Sequence, residues 1–507
     1  MVVVIGAGAT GLGVARDLAL RGVKVTVVDQ WEPGFGTSGR FHGLLHSGAR
    51  YVVTDPTAAE DCYRENTLLR AVAPDAIEQT GGIFVRSEDD DPGFEQAWLK
   101  GCDRAGIPVT ALDPRAVRQR YPDLTTRVAS AYWVPDGVLE GFHLLQMLAK
   151  DVLAHDGTLL SKHRVTAIQT VNGRVTSVSA QGPNGEVEVG CDAVVNAAGP
   201  WAGAVADLFE DPIPMHLSYG LMILFAHRKF PVVVNRLKSP GDGDIFVPHQ
   251  HVTILGTTDV AQDSPIAPDI QASEVLRLMD LGRELVPGLD SWRVLRAFTG
   301  VRPLYDGQGH AATSREVSRD FKVIDHQRRK GPAGSFSVVG GKWTTFRLMA
   351  ERTADIVTQY LGISAPCVTA QVPLTLHPVT SFSASEPYLC ECEKVSASQL
   401  TAIDGSLSEW RTATWFAMGP CQGTFCAHRV TALHHALFPS EDSGAALQDL
   451  RAERTKGMLP VLWGANAREY ALQQAVRFQT LAEGDPQWAG NSPGLKNSSP
   501  SSEGVTL

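Results

Sequence analysis

The chain has no uninterrupted apolar run of about 18 residues, the length a membrane-spanning helix needs, although 43% of its residues are hydrophobic. No transmembrane segment of its own is expected. It also has no basic run, and its net charge of -10 argues against a nucleic-acid backbone as the main partner. Aromatic residues make up only 7% and charged residues 20%, the balance of an ordinary globular protein. The first residues read as a strand, where a signal peptide would place a basic and then an apolar stretch, so a cytoplasmic location is expected.

Cysteine is scarce and uneven. Cys62, Cys102, Cys191 and Cys367 stand alone and read as small buried apolar residues, whereas Cys390, Cys392, Cys421 and Cys426 form a cluster. In a reducing compartment such a cluster points to metal rather than disulfides. Four thiolates can hold zinc or a [2Fe-2S] cluster, although zinc ribbons prefer CxxC pairs and the first pair here is CxC.

At 507 residues the chain has room for about three domains. Its organising stretch is the N-terminus. Val2-Val3-Val4-Ile5 is a β-branched run, Gly6-Ala7-Gly8-Ala9-Thr10-Gly11 follows with GxGxxG spacing, and residues 12–22 read as a helix. Gly6 permits the turn, Gly8 admits a pyrophosphate, Gly11 lets helix pack on strand, and the amides of the helix N-terminus attract the anion. A second strand over 23–28 ends in Asp29, placed to accept hydrogen bonds from an adenosine ribose. Strand, glycines, helix, strand and acid in this order predict an adenine dinucleotide.

A long donor-rich loop follows, Gly36-Thr37-Ser38-Gly39-Arg40-Phe41-His42-Gly43-Leu44, leading into His46-Ser47-Gly48-Ala49-Arg50-Tyr51. Small residues there would let the backbone lie flat against a planar ring. Residues 56–73 and 94–105 read as helices with a strand at 82–86 between them, and Val134-Pro135-Asp136-Gly137 reads as a strand ending in a turn. A helix over 142–154 precedes strands at 163–171, 174–180 and 186–190, with Asn172-Gly173 and Asn184-Gly185 as hairpin turns. Residues 192–201 read as a buried strand stopping at Gly199-Pro200. From 205 to 310 alternation predicts a mostly antiparallel sheet, including Gly256-Thr257-Thr258-Asp259 and Gly300-Val301-Arg302-Pro303. A strand at 336–339, the turn Gly340-Gly341 and a helix opened by Lys342-Trp343-Thr344-Thr345 then return to the cofactor.

These motifs, taken together, resemble the FAD-dependent glycerol-3-phosphate dehydrogenases, and most closely the catalytic A subunits of the anaerobic enzyme. The resemblance runs to about residue 482 and rests on the Thr-Ser-Gly-Arg loop, the His-x-Gly-x-Arg-Tyr segment, the Gly-x-Arg-Pro turn and the Gly-Gly-Lys-x-Thr-Thr closing motif. It implies an α/β fold, α+β overall. A Rossmann-like, two-dinucleotide-binding FAD domain (1–75, 141–204 and 311–362) would carry an antiparallel-sheet substrate domain (76–140 and 205–310). A linker (363–386), a small four-cysteine module (387–440), C-terminal helices (441–482) and a disordered tail (483–507) would follow. The module resembles the bacterioferritin-associated ferredoxin type, which implies a [2Fe-2S] cluster on Cys390, Cys392, Cys421 and Cys426, with zinc as the alternative.

The implied activity is oxidation of sn-glycerol 3-phosphate to dihydroxyacetone phosphate by hydride transfer to flavin N5. Electrons would pass through a partner subunit to quinone, which would place the protein peripherally on the inner face of the cell membrane. The cofactor-binding set is Gly6, Gly8, Ala9, Thr10, Gly11, Asp29, Thr37, Ser38, Arg40, His42, Gly43, Leu44, Val165, Gly199, Gly341, Lys342, Thr344 and Thr345. Arg50, Tyr51, Arg319 and Lys342 would bind substrate, and His46, Arg302 and Lys342 would act in catalysis. The sequence departs from the aerobic relatives at Gly220-Leu221-Met222, where those carry Gly-Ser-His, so the base is not fixed by the resemblance. A flavin amine or amino-acid oxidase, and a non-catalytic FAD and iron-sulfur electron-transfer protein, are the competing readings.

Overall fold

The computed structural model describes residues 1–305, 320–374 and 386–477. Its first sheet has six strands in the order Phe321–Asp325, Ser335–Gly340, Ala193–Asn196, Val2–Ile5, Val25–Val28, Thr158–Leu160. All neighbours run parallel except the edge strand Phe321–Asp325. Val2–Ile5 is fully buried because both faces are covered, as a parallel sheet requires. The helices Ala9–Leu20, Gly141–Ala154 and Phe346–Leu361 pack together on one face, with Leu12, Leu18, Leu148, Phe346 and Ala350 in the shared core. Chain order reverses on either side of Val2–Ile5, which opens a crevice at the carboxyl ends of the strands.

The second large sheet is mostly antiparallel. It joins Val260–Gln262, Met215–Phe225, Val252–Gly256, Ile245–His249, Val233–Arg236, Gly82–Ser87, Val128–Val134 and Thr110–Leu112, and Val294–Tyr305 pairs with Met215–Phe225. One pairing, Val233–Arg236 with Gly82–Ser87, is parallel. The helix Ala272–Arg283 covers this sheet through Val275, Leu278 and Met279. The hairpins expected at 163–190 form their own three-stranded sheet, Arg164–Val171, Arg174–Gly182 and Gly185–Gly190.

The predicted helices at 56–73 and 94–105 are Pro56–Val72 and Pro92–Arg104, each with proline at its start after an aspartate cap. Asp55 accepts from the Ala58 amide at 3.2 Å. The first helix begins at Ala9, earlier than the expected residue 12, because the glycine turn itself supplies its first turn. Lys342 does not start an α-helix: Trp343–Thr345 is a 3-10 turn and the α-helix runs over Phe346–Leu361. Cys62 and Cys102 are buried as expected, but Cys191 and Cys367 are only half-buried, and the Cys367 thiol donates to Asp17 at 2.9 Å.

The C-terminal region packs around its own core of Leu400, Trp410, Phe416 and Val430. Its longest helices are Leu407–Thr414, Cys426–Leu437, Ser443–Thr455 and Gly464–Ala475. Among the described residues no helix is long and apolar enough to cross a membrane. The expected disordered tail, and the stretch 375–385 of the expected linker, lie outside the described residues.

Candidate active site

The crevice beside Val2–Ile5 is a cavity of about 450 Å³. Gly6, Gly8, Ala9, Thr10, Asp29, Thr37, Ser38, Val165, Gly199, Gly341 and Lys342 line it, drawn from well-separated stretches of chain. Gly6 holds φ +110°, and a Cβ there would meet the Ala197 carbonyl, so glycine is required. The Asp29 carboxylate accepts from the Ala7 amide at 2.6 Å and the Trp31 amide at 2.8 Å. A carboxylate has about four acceptor positions, which leaves about two for a ribose. Burial raises the Asp29 pKa, and the two amides oppose that. Ser38 Oγ accepts from the Ala9 amide at 3.0 Å, which ties the donor-rich loop to the first helical turn.

The rest of the expected cofactor set does not line this cavity. Gly11 packs against the Gly6 carbonyl, where any Cβ would collide. Leu44 is buried in a short pairing with Val138, and Gly43 lies against the His249 ring. Thr345 Oγ1 accepts from the Lys342 amide at 3.4 Å, and Thr344 Oγ1 accepts from the His46 amide at 3.2 Å. Arg40 lines a neighbouring cavity, and His42 faces the catalytic candidates.

Those candidates converge beside the crevice. The His46 ring lies 5.9 Å from His42 and 5.2 Å from Tyr51, and Lys342 Nζ sits 4.7 Å from the Tyr51 ring centroid. Burial, then the charges of Arg50 and Arg302, lower the His42 pKa to about 3. Burial, then His42, Arg50 and Lys342, hold His46 well below its usual value. Both imidazoles are therefore neutral at pH 7. His42 Nδ1 accepts from the Leu44 amide at 3.1 Å, which puts the ring proton on Nε2. A Cβ on Gly256 would touch both Met222 and His42, so His42 stands beside the strand where the aerobic pattern has its histidine.

The cations are held from outside the motif. Arg50 donates to Asp244 at 2.7 Å, and Asp244 in turn accepts from the Gly241 amide at 2.8 Å. Arg302 donates to Thr257 Oγ1 at 2.6 Å, the Thr258 carbonyl at 2.9 Å and Ser218 Oγ at 3.4 Å, with the Asp259 carboxylate 3.5 Å away. Asp136 is buried and accepts from the Ser47 amide at 2.8 Å and Asn235 Nδ2 at 3.2 Å, fixing the loop that carries His46 and Arg50. Sequence reasoning places Asp136 in a turn that the resembling family has near its active site, and Thr257 in a Gly-Thr-Thr-Asp stretch similar to a family motif, but assigns neither a role and misses Asp244 altogether. Arg319 lies outside the described residues.

In the C-terminal module the four thiols are free and close enough to shift one another's ionisation, Cys390 with Cys426, Cys392 with Cys421, and Cys421 with Cys426. Among the described residues no group of three or more His, Cys, Asp or Glu side chains has the arrangement of a metal site.

A family model for FAD-dependent oxidoreductases matches residues 1–355. The chain is 36% identical to the A1 subunit of the anaerobic glycerol-3-phosphate dehydrogenase of Haloferax volcanii, over 95% of this chain and 90% of that one. It is 36% identical to the A subunit of the Escherichia coli K12 enzyme, over 92% and 94%. Among solved structures, a glycerol-3-phosphate dehydrogenase from Bacillus halodurans complexed with FAD superposes with TM-score 0.55 at 21% identity, covering 95% of this chain and 79% of that one. An L-proline dehydrogenase from P. horikoshii superposes with TM-score 0.58 at 20% identity over 72% and 94%, which shows a shared fold. The crevice, its glycine turn and these likenesses agree: the chain belongs to the FAD-dependent oxidoreductase family, in the group of the anaerobic glycerol-3-phosphate dehydrogenase A subunits.

Proposed function

We infer that the protein is an FAD-dependent dehydrogenase that oxidises sn-glycerol 3-phosphate to dihydroxyacetone phosphate. The observation that carries this reading is the gathering of Arg50, Arg302 and Lys342 around the neutral pair His42 and His46, beside the dinucleotide crevice. When bound, FAD supplies at N5 the acceptor for the hydride that leaves C2. Arg50 and Lys342 offer fixed cations to the phosphate, with Arg319 as a third in the family pattern. Arg302, held by its hydrogen bonds to Ser218, Thr257 and Thr258, orients the hydroxyl and stabilises negative charge on its oxygen as the proton leaves. His42 already carries its proton on Nε2 and can only donate. His46 is therefore the group that takes the hydroxyl proton.

The relatives are A subunits, which supports a partner subunit; we propose that it carries the electrons to quinone and holds the protein peripherally at the inner membrane face. The four thiols have the donor chemistry of a [2Fe-2S] site, where a cluster would supply a one-electron carrier; zinc is the alternative. Iron and acid-labile sulfide analysis separates the two. The division into FAD, substrate and four-cysteine units given above is proposed as the domain organisation.

The test is an anaerobic absorbance titration of the FAD-loaded protein. Prompt bleaching of the flavin bands by sn-glycerol 3-phosphate, and none by glycerol or proline, is expected. FAD bound and reducible by dithionite but untouched by this substrate would overturn the assignment.

A further inference from the structure

A second cavity, of about 1040 Å³, lies where the large sheet meets the Cys-rich module. Arg296 enters its wall from the strand Val294–Tyr305, Arg411 from the helix Leu407–Thr414, and Arg454 from the helix Ser443–Thr455. The three are exposed by only 5%, 7% and 8%. The Nε atoms of Arg296 and Arg454 are buried with no hydrogen-bond partner. Arg296 Nη1 donates to the Glu453 backbone carbonyl at 2.9 Å, while the Glu453 carboxylate sits 3.5 Å from Lys456. Asp269 and Glu393 also lie on the wall, yet among the described residues none of the three arginines is ion-paired to a carboxylate.

Burial lowers the Arg296 pKa to about 10 despite Glu453, and the Arg411 and Arg40 charges push the same way. Arg454 is held well below its usual value by burial and by Arg296 and Arg411. The three guanidiniums thus repel one another, and Glu453 is the one carboxylate whose charge acts on all three. Three cations against Glu453, with Glu32 acting on Arg411 alone, cost stability unless another anion enters. Guanidinium forks match phosphate oxygens two at a time.

We propose that this cavity binds a multivalent phosphate-bearing small molecule, gripped by Arg296, Arg411 and Arg454 at the seam between sheet and module. It adjoins the dinucleotide crevice across the turn Gly36-Thr37-Ser38, yet none of the three arginines lines that crevice. Binding would tie the two units together, because the gripping groups come from both sides of the seam. The proposal does not depend on the identity of the oxidised substrate.

The probe is inorganic pyrophosphate, titrated into FAD-saturated protein at constant ionic strength with chloride as the balancing anion. FAD saturation removes the dinucleotide phosphate site from play. A saturable rise in Tm, about 2 °C or more, is expected. Arg411→Met and Arg296→Met are expected to fold with an anion-free Tm at or above that of the parent, and to lose the rise. Arg50→Met is expected to keep it. A rise no larger than chloride gives, or one that survives in both methionine variants, overturns the proposal. So does a rise that vanishes in Arg50→Met, which would place pyrophosphate in the substrate clamp. Failure of both methionine variants to fold also overturns it, because it would make these arginines structural.

Discussion

The flavin-side core and the seam with the Cys-rich module bury charge in opposite ways. In the core, Glu65 is fully enclosed and receives Nε and Nη2 of Arg347 at 2.8 and 2.7 Å. The remaining nitrogen of Arg347 reaches Glu351 at 2.5 Å and Thr369 at 3.1 Å, so every charge has its partner. At the seam, Arg296 and Arg454 keep orphaned nitrogens, and both carboxylate oxygens of Glu140 are buried without a hydrogen-bond partner. A matched pair ties the helix Pro56–Val72 to Phe346–Leu361 and serves the fold. Unmatched charge around a cavity contributes nothing to the fold by itself, and its use must lie in what the cavity takes up or in what the seam does.

The sharpest way to break this contrast is to unmatch the core pair. Arg347→Met leaves Glu65 enclosed without its cation, and a loss of about 3–5 kcal/mol is expected in urea unfolding. Glu65→Gln combined with Arg347→Met removes both charges and should recover much of that loss. Were Arg347→Met as mild as the seam variants, the distinction between the two regions would collapse. Arg302 tests a third situation, a cation that, among the described residues, donates to the Ser218 and Thr257 hydroxyls and the Thr258 carbonyl, with the Asp259 carboxylate 3.5 Å away. Arg302→Lys keeps the charge but not the fork, and kcat/KM for glycerol 3-phosphate should fall about 10²–10³-fold with little change in Tm. An equal loss of Tm and activity would instead make Arg302 a structural brace between Ser218 and Thr257.

What could be read from sequence follows how local each feature is. The glycine turn, its strand and Asp29 lie close together at the N-terminus, and their chemistry is visible without knowing the fold. The crevice residues Val165, Gly199 and Gly341 are legible through the family pattern that carries them, not through their spacing. Asp244 holds Arg50 from 194 residues away, and Asp136 fixes Ser47 from 89 away. No periodicity marks such partners, since each is an ordinary acid in a loop until the sheet brings it round. The parallel pairing of Gly82–Ser87 with Val233–Arg236 is hidden for the same reason. The seam arginines are invisible in a different sense: single arginines on a strand and two helices read as solvated faces until packing encloses them.

The finest probe of the contrast is Glu140 and its neighbour His249, 3.5 Å apart at the seam, with His249 packed on Trp415. Burial raises Glu140 to about 7, with His143 and Arg228 opposing and the nearby Glu78 charge adding to the rise; burial lowers His249 to about 4. Between pH 4.5 and 7 the folded state keeps a proton on Glu140 that the unfolded chain has released, so this group's contribution to stability falls as pH rises through that window. Between pH 4 and 6.5 the unfolded chain protonates His249 while the folded state does not, so that contribution rises with pH. Each slope approaches about 1.4 kcal/mol per pH unit, and where the windows overlap they cancel. Glu140→Gln removes one slope and leaves the other. The variant should gain about 3 kcal/mol over the parent at about pH 8 and become steeply acid-sensitive between about pH 6.5 and 4.5, where the parent is flatter. Parallel stability curves for the two proteins across about pH 4.5–8 would mean that Glu140 is ionised in the fold and paired after all, and the seam would then bury charge as the core does.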